Sequence, residues 1–562
     1  MAEFTKQIEN YFRTAPNGTR LCWGAKSMLA HRMEARIELR KHFFHAPDVT
    51  KPPVLDERNP PLVHADVMNR PLVMVGHQPL LFHPGVWMKN FVAARLAQRV
   101  GGKAVNLIVD NDVMKTASIT VPSRIDEGVI AQVAFDALSE EMPYEERKVI
   151  DAVLADSFAT RVQETMPEVN WTPLLQKIWE MTGRHALKVF MKRSEKARDE
   201  KSPAYLRKEL SVLNYFRSQL PNFTLNFYWR DEFSSLRGHW ESVHGYQLDD
   251  ICLSGAISNQ AFARLALEII HDARPFAEIY NACLTEYREV HGLRSRSHPA
   301  PDLEIVTENE IELPFWLWIG NSPHRRRAFV RRNGHEFTIT DGKKIEWSAN
   351  FKEGEKLLGK IVAELLSPTD DPNRPKLRPK ALITTLYARL LLCDGFVHGI
   401  GGAKYDQVTE AIAARWGLGT LAPMQCATMT LRLPLPMEII SEDEVRSRKR
   451  KLRDLIYHPE RFISEAELSV QQRERASVLA SEKQQWIARQ SPEELRDRHR
   501  QIQTINAELT EMLGALRQRF EEEYFAAQSK FAAQQPWLSR EFAAVLFPEE
   551  MLKAEFARVI SE

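Results

Sequence analysis

The densest run of groups able to do chemistry is Gly76-His77-Gln78-Pro79-Leu80-Leu81-Phe82-His83-Pro84-Gly85, two histidines and a glutamine between an apolar stretch and a proline-opened helix. The first N–H groups of a helix lack intrahelical partners, and with the helix dipole they favour a phosphate or carboxylate. A histidine beside such an anion can protonate a leaving oxygen. On this reading His77 acts in the chemistry, while Gly76, Gln78, Phe82 and His83 bind the substrate. The plainer alternative is that His77 and His83 only cap the helix. His83-Pro84-Gly85 is also similar to the HxGH element of nucleotidyltransferases, with Val86 where the second histidine would stand.

Two further clusters belong to the same chemistry. Asp110-Asn111-Asp112 places carboxylates two residues apart, suited to holding a metal-bridged phosphate, accepting an amine's proton or positioning a histidine. The alternative is a turn rich in residues that tolerate strand ends. Gly399-Ile400-Gly401-Gly402-Ala403-Lys404-Tyr405-Asp406 is a glycine-rich turn entering a helix, with Gly401 and Gly402 open to backbone approach and Lys404 placed to meet a negative group. It lacks both GxGxxG and the Walker pattern, so a tight turn without ligand is an equal alternative. Two basic runs, Arg325 to Arg327 with Arg331 and Arg332, and Arg446 to Arg453, read as solvated faces.

The elements that position these clusters follow a strand–loop–helix–strand order. After a proline-rich stretch from Pro52 to Pro61, Pro71 to Val75 reads as a buried strand opening into the histidine loop. A helix from about Pro84 to Val100 follows, ending at Gly101-Gly102, and then a strand from Val105 to Val109. Parallel α/β sheets bind ligands at the carboxyl ends of such strands, which makes Gly76–Gly85 and Asp110–Asp112 the expected active-site edge. Residues 136–300 read as a mainly helical insertion, broken at Pro167, Pro221 and Pro301. Residues 301–435 read as a small antiparallel element, turning at Asn333-Gly334, and the second half of the core that began in residues 1–135. That second half comprises a helix from about Lys380 to Leu392, a turn through Phe396 to Gly402, a helix from about Asp406 to Trp416 and a strand at Thr428 to Leu431. Beyond Pro436 the chain reads as long charged helices, with a capping box at Ser491-Pro492-Glu493-Glu494. Leu495, Ile502, Leu509 and Leu516 form an imperfect heptad seam, supported by Ile505 and Met512 and interrupted by Arg498 and Arg519.

Composition bounds the function. A chain of 562 residues exceeds one core, and no apolar run is long enough to span a bilayer. The N-terminus lacks a secretory pattern. Five scattered cysteines with no CxxC argue against a disulfide framework or zinc ribbon, and no metal site is expected. A cytoplasmic protein is the expectation. Net charge is +1, so no global field draws nucleic acid or a membrane surface, and the expected partner is a small molecule.

Together the three clusters resemble the cysteine-adding enzyme family of bacillithiol biosynthesis, whose members carry GQQ-x-GLF after the first strand, DHD after the second and GGPGE before a late helix. The counterparts here are Gly76 to Phe82, Asp110-Asn111-Asp112 and Gly401 to Tyr405, in the same order and at similar separations. The resemblance implies an α/β fold: a Rossmann-like parallel-sheet core with a helical insertion and a C-terminal helical coiled-coil arm, 436–562, that pairs subunits as a homodimer. It implies a ligase joining cysteine to a glucosaminyl-malate acceptor. Its motifs match Gly76, Gln78, Phe82, Asp110, Asp112, Gly401 and Gly402; His77, His83 and Lys404 are added from chemistry alone. The departures lie within the motifs. His77 stands for a glutamine, Asn111 for a histidine and Lys404-Tyr405 for Gly-Glu, which points to a changed substrate.

The leading expectation is therefore a carbon–nitrogen bond-forming ligase, joining an amino acid or thiol-bearing amine to a small anionic or sugar-derived acceptor. His77, Asp110 and Asp112 would be its catalytic groups. The residues name no cofactor, and a nucleotide with Mg²⁺ stays open. The rival readings are a noncatalytic binding or assembly protein that keeps the fold, and a nucleotidyltransferase of other specificity.

Overall fold

The computed structural model describes residues 1–14, 32, 34–36, 39, 70–124, 129–166, 169–179, 228–436, 438–489 and 495–561. The proline-rich stretch, Pro167, Pro221, Cys22 and the capping box at 491–494 lie outside them. Helix α1 (Ala2–Thr14) precedes the first strand, β1 (Leu72–His77), which leads through α2 (Pro84–Arg99) to β2 (Lys103–Ile108). Two short antiparallel ladders follow, β3 (Val113–Met114) with β6 (Met142–Pro143) and β4 (Ser118–Arg124) with β5 (Val129–Ala134). Next come α3 (Ala152–Thr165), α4 (Trp229–Val243), β7 (Asp249–Cys252), α5 (Gln260–His271) and α6 (Ala273–Val290).

The third of the parallel strands therefore lies inside the stretch expected to be a helical insertion. Asp249-Asp250-Ile251-Cys252 carries charge because β7 is an edge strand, and those charges are neutralised sideways. Asp250 accepts from Asn106 Nδ2 at 2.9 Å and pairs with Arg237 at 2.5 Å. The next unit is a full five-stranded antiparallel sheet, larger than the element expected: β8 (Glu310–Ile319), β9 (Ser322–Asn333), β10 (Glu336–Thr340), β11 (Glu346–Asn350) and β12 (Pro375–Pro379), in the order β11-β10-β9-β8-β12. The Asn333-Gly334 turn closes β9 onto β10.

Helix α7 (Ala381–Tyr387), continued by a π-turn over Ala388–Leu392, leads to β13 (Gly395–His398), α8 (Ile400–Arg415) and β14 (Met424–Cys426). Two expectations are corrected here. Phe396 to His398, read as the start of a turn, belong to a parallel strand beside β1. Thr428 to Leu431, read as a strand, is extended chain whose Met429 and Leu431 are buried.

All five strands of the first sheet run parallel, in the order β14-β13-β1-β2-β7. The chain starts at the centre, builds one way through β2 and β7, then crosses back and builds the other way through β13 and β14. Such a reversal leaves a crevice beyond the carboxyl ends of the two strands flanking it, here β1 and β13. Both faces of the sheet are covered, which is why Leu72-Val73-Met74-Val75 is apolar throughout. Val73, Val75 and Val397 pack with Phe91 and Leu96 of α2. Leu72, Met74, Leu107 and Phe396 face the opposite layer, with α5 to α8.

The charged helices are α9 (Glu442–Tyr457), α10 (Val470–Ala488), α11 (Leu495–Met512) and α12 (Gly514–Gln534). α9 lies on α12 and α10 on α11, around two small apolar clusters. The heptad seam is thus used within the chain: Ile505, Leu509 and Leu516 are buried, whereas Leu495 is exposed. At the root, the buried Gln534 amide accepts from Ile440 N at 2.9 Å and donates to Ile440 O at 2.5 Å. The arm does not extend to residue 562. After Trp537 the chain returns to the parallel sheet, where Ala544 N donates to Phe82 O at 2.9 Å and α13 (Glu549–Ser561) stacks Phe556 on Phe91 of α2.

Candidate functional site

Three loops converge at the carboxyl edge of the parallel sheet: the one after β1, the one after β2, and the junction of β13 with α8. His77, the last residue of β1, is partly buried, its ring edge-on to Phe82 with centroids 5.3 Å apart. Its Nδ1 lies 3.1 Å from Gln78 O. A carbonyl only accepts, so that nitrogen carries the proton and Nε2 keeps its lone pair. Burial, reinforced by Lys89, pulls His77 down to about 3, so the ring is neutral near pH 7 and serves as a hydrogen-bond acceptor rather than a cation.

His83 adopts the plainer of its two expected roles. Its Nδ1 accepts from Gly85 N at 3.1 Å, capping α2, and its Nε2 sits 3.6 Å from Glu541. That N-terminus is also physically closed. A Cβ on Gly85 would fall 2.2 Å from Met429 O and 2.9 Å from Arg540 Nη2, so the turn is wedged against the returning chain. The helix start expected to receive an anion is thus capped by His83 and packed at Gly85 against the returning chain.

The two aspartates occupy different environments. Asp110 is fully buried: Ser254 donates to it through Oγ at 2.6 Å and N at 3.0 Å, and Arg230 pairs with it at 2.9 Å. Burial pushes its carboxyl upward against the opposing pull of Arg230. Its geometry is that of a structural hub tying the β2 loop to β7. Asp112 is partly open. Gln78 Nε2 donates to its Oδ2, and Arg325, reaching over from β9 of the antiparallel sheet, pairs with Oδ1 at 2.9 Å. The same guanidinium donates to Asn111 O at 3.1 Å and lies 4.8 Å above the Trp316 ring, which fixes its plane. Asn111 itself turns away, its amide donating to Pro379 O at 2.7 Å. Gln78, Asp112 and Arg325 thus form one polar row between the two sheets.

The glycine-rich segment is helix rather than turn. α8 begins at Ile400, so Gly401, Gly402 and Lys404 sit in its first two turns. Gly402 is required by a close approach: a Cβ there would lie 2.4 Å from His398 Nδ1, and His398 Nε2 is 3.2 Å from buried Asp406. Gly76, by contrast, has ordinary room for a Cβ. Lys404 is exposed on the outer face.

The buried cation at this edge is Lys89 of α2. Only 3% exposed, it donates to Gly76 O at 3.0 Å, and among the described residues no carboxylate pairs with it. Burial alone pulls it down to about 7. The sequence held a signal for it, a lysine within Trp87-Met88-Lys89-Asn90-Phe91, a stretch of helix apolar on all sides. Arg325 was visible only as part of a basic run. The rest of that run is structural: Arg326 pairs with Asp341, Arg327 with Glu304 and Glu312, Arg331 with Glu310 and Glu346, and Arg332 donates to His271 O.

Among the described residues no three His, Cys, Asp or Glu side chains are grouped to hold a metal ion, and no helix is long and apolar enough to cross a membrane. No protein-family model and no curated protein matches the chain.

Proposed function

We propose that this chain is a ligase-like enzyme, resembling the bacillithiol cysteine-adding family, that joins an amino acid or thiol-bearing amine to a small anionic or sugar-derived acceptor. The observation that carries this reading is Lys89, buried at the carboxyl edge and, among the described residues, paired with no carboxylate, while neutral His77 and the Gln78–Asp112–Arg325 row stand at the loops after β1 and β2. The strand order β14-β13-β1-β2-β7 supports a Rossmann-like core, since it is the doubly wound pattern with its reversal at β1.

In this mechanism Asp112, aligned by Gln78 and Arg325, orients the amine and receives its proton. His77 Nε2 accepts a hydrogen bond from the substrate, and Lys89 neutralises charge on the acceptor. Asp110 acts through Arg230 as a positioning group. A nucleotide, if used, would be held through its phosphates by Lys89 and would supply an activated leaving group.

The finer reading of the arm is that it pairs subunits. Its seam is occupied within the chain, so a second copy would meet Tyr457, Val470, Val478 and Ile487, all exposed. Among the described residues Cys252, Cys283, Cys393 and Cys426 are free thiols, which supports a reducing, cytoplasmic setting.

A thermal-shift screen tests the site. The full-length protein is melted with cysteine, amino sugars, malate-bearing glycosides and nucleotides with and without Mg²⁺. A ligand at about a hundredfold excess over its Kd adds roughly 2.7 kcal/mol, an easily seen shift. The proposal expects a hit that is lost in His77→Ala; no hit across the set would shift the weight to a binding or assembly role.

A further inference from the structure

Two long helices begin at the carboxyl edge of the parallel sheet, and their N-termini are finished differently. α2 is capped by His83 and wedged at Gly85 against Met429. α8 starts from Gly399, which has no side chain to cap it. Its first intrahelical bond runs from Ala403 N to Gly399 O at 2.9 Å, leaving the N–H groups of Ile400, Gly401 and Gly402 outside the ladder. Ile400 is 51% exposed, and a Cβ on Gly401 would meet nothing within 4 Å.

Lys89 approaches this helix end from below. Its Cδ lies 3.7 Å from the position a Cβ of Gly399 would take, and its ammonium, with three N–H donors, uses one on Gly76 O. Lys89 is 97% buried with no carboxylate paired to it among the described residues, and a buried ammonium is costly unless an anion joins it.

We propose that the N-terminus of α8 and Lys89 together form a phosphate-binding site, which takes the phosphate or diphosphate group of a small-molecule substrate in the crevice between β1 and β13. Three amides outside the ladder with an ammonium side chain passing beside Gly399 match an anion with several oxygens better than the planar pair of a carboxylate. Glycine at 399 and 401 lets those oxygens approach the backbone. The phosphate site is thereby carried by the helix after the fourth parallel strand in chain order, while the helix after the first is sealed by the returning C-terminal segment. The inference rests on the reading of this crevice as a substrate site, and not on amide formation.

The test is isothermal titration of the full-length protein with inorganic phosphate and inorganic diphosphate, with acetate and chloride at matched ionic strength as controls. Two variants accompany it. Lys89→Met removes the charge and keeps the length. Gly399→Asp gives α8 its own capping carboxylate, within reach of Lys89, and should raise the melting temperature as it displaces the ligand. The proposal expects wild-type binding of phosphate or diphosphate over acetate, weakened at least about tenfold by Lys89→Met, the worth of one charge-assisted contact, and abolished by Gly399→Asp. Absence of wild-type binding, or unchanged affinity in Gly399→Asp, overturns it. Phosphate binding without condensation of amine and acceptor would leave this site standing and remove the ligase reading; condensation without phosphate binding would do the reverse.

Discussion

Residues with the same side chain are distinguished here by what surrounds them. Asp110 and Asp112 are two apart in sequence, yet one is sealed under Ser254 and Arg230 and the other stays partly open beside Gln78 and Arg325. Asp110→Asn should therefore lower stability by about 2 kcal/mol, because it removes the buried carboxylate that accepts from Ser254 and pairs with Arg230, which keeps Asp231. Asp112→Asn should stay within about 1 kcal/mol of wild type and abolish turnover; denaturant melts paired with a condensation assay separate the two. Lys89 and His77 set the pH response. Lys89 is protonated in the unfolded chain up to its ordinary 10.5 but only to about 7 when folded, so its penalty is full below pH 7 and fades as pH rises toward 10.5. Lys89→Met should accordingly stabilise the protein, more at pH 6 than at pH 9. His77 falls from 6.5 to about 3 on folding, so its contribution is complete above pH 6.5 and is lost as pH drops toward 3. In His77→Gln the acid limb of the stability curve should be flatter. The sequence displayed His77, Gln78 and Asp112 because motif and loop position mark them. Its signal for Lys89 was faint, only the apolar stretch around it, since a lysine on a helix is ordinarily solvated and tertiary packing buries this one.

Elements were legible where periodicity was strong and short strands were not. The β1–α2–β2 unit stands within a few residues of its expected bounds, as an apolar strand, a proline at the first helical position and a glycine stop require. β7 and β13 are four residues each and carry Asp249, Asp250, Gly395 and His398, so neither shows the apolar run of a buried strand. α8 begins about six residues earlier than expected, because glycines 401 and 402, poor helix formers, mask its start, while Gly402 packs closely on His398. These contacts make a sharp contrast testable. Gly85→Ala forces a methyl onto Met429 O, a backbone atom that cannot swing aside, and should cost about 2–4 kcal/mol. Gly401→Ala enters open space in a helix and should be neutral or stabilising by up to about 1 kcal/mol; both follow from chemical denaturation.

On the scale of the whole molecule, the chain is organised as an excursion and a return. The arm leaves near Ile440 and comes back at Gln534, and the final segment then seals α2 and braces the first loop through the Ala544–Phe82 bond. The heptad pattern revealed that the arm's helices pair, but periodicity has no means of telling a neighbour in the same chain from one in a second copy. Since the arm's apolar clusters are its own, Leu509→Asp should loosen it by about 3 kcal/mol, seen as faster amide exchange in α10 and α11, while ligand response at the parallel sheet persists. If the carboxyl edge of that sheet condenses an amine with an anionic acceptor, the product itself will report it. Mass spectrometry is run on mixtures of cysteine and sugar-derived acceptors, with and without a nucleotide and Mg²⁺, incubated with the wild-type protein or Asp112→Asn. A condensed product is expected from wild type, with a loss of at least about a hundredfold in the variant, the scale of general-base assistance. Product formed equally by both, or by neither, would contradict condensation at this edge.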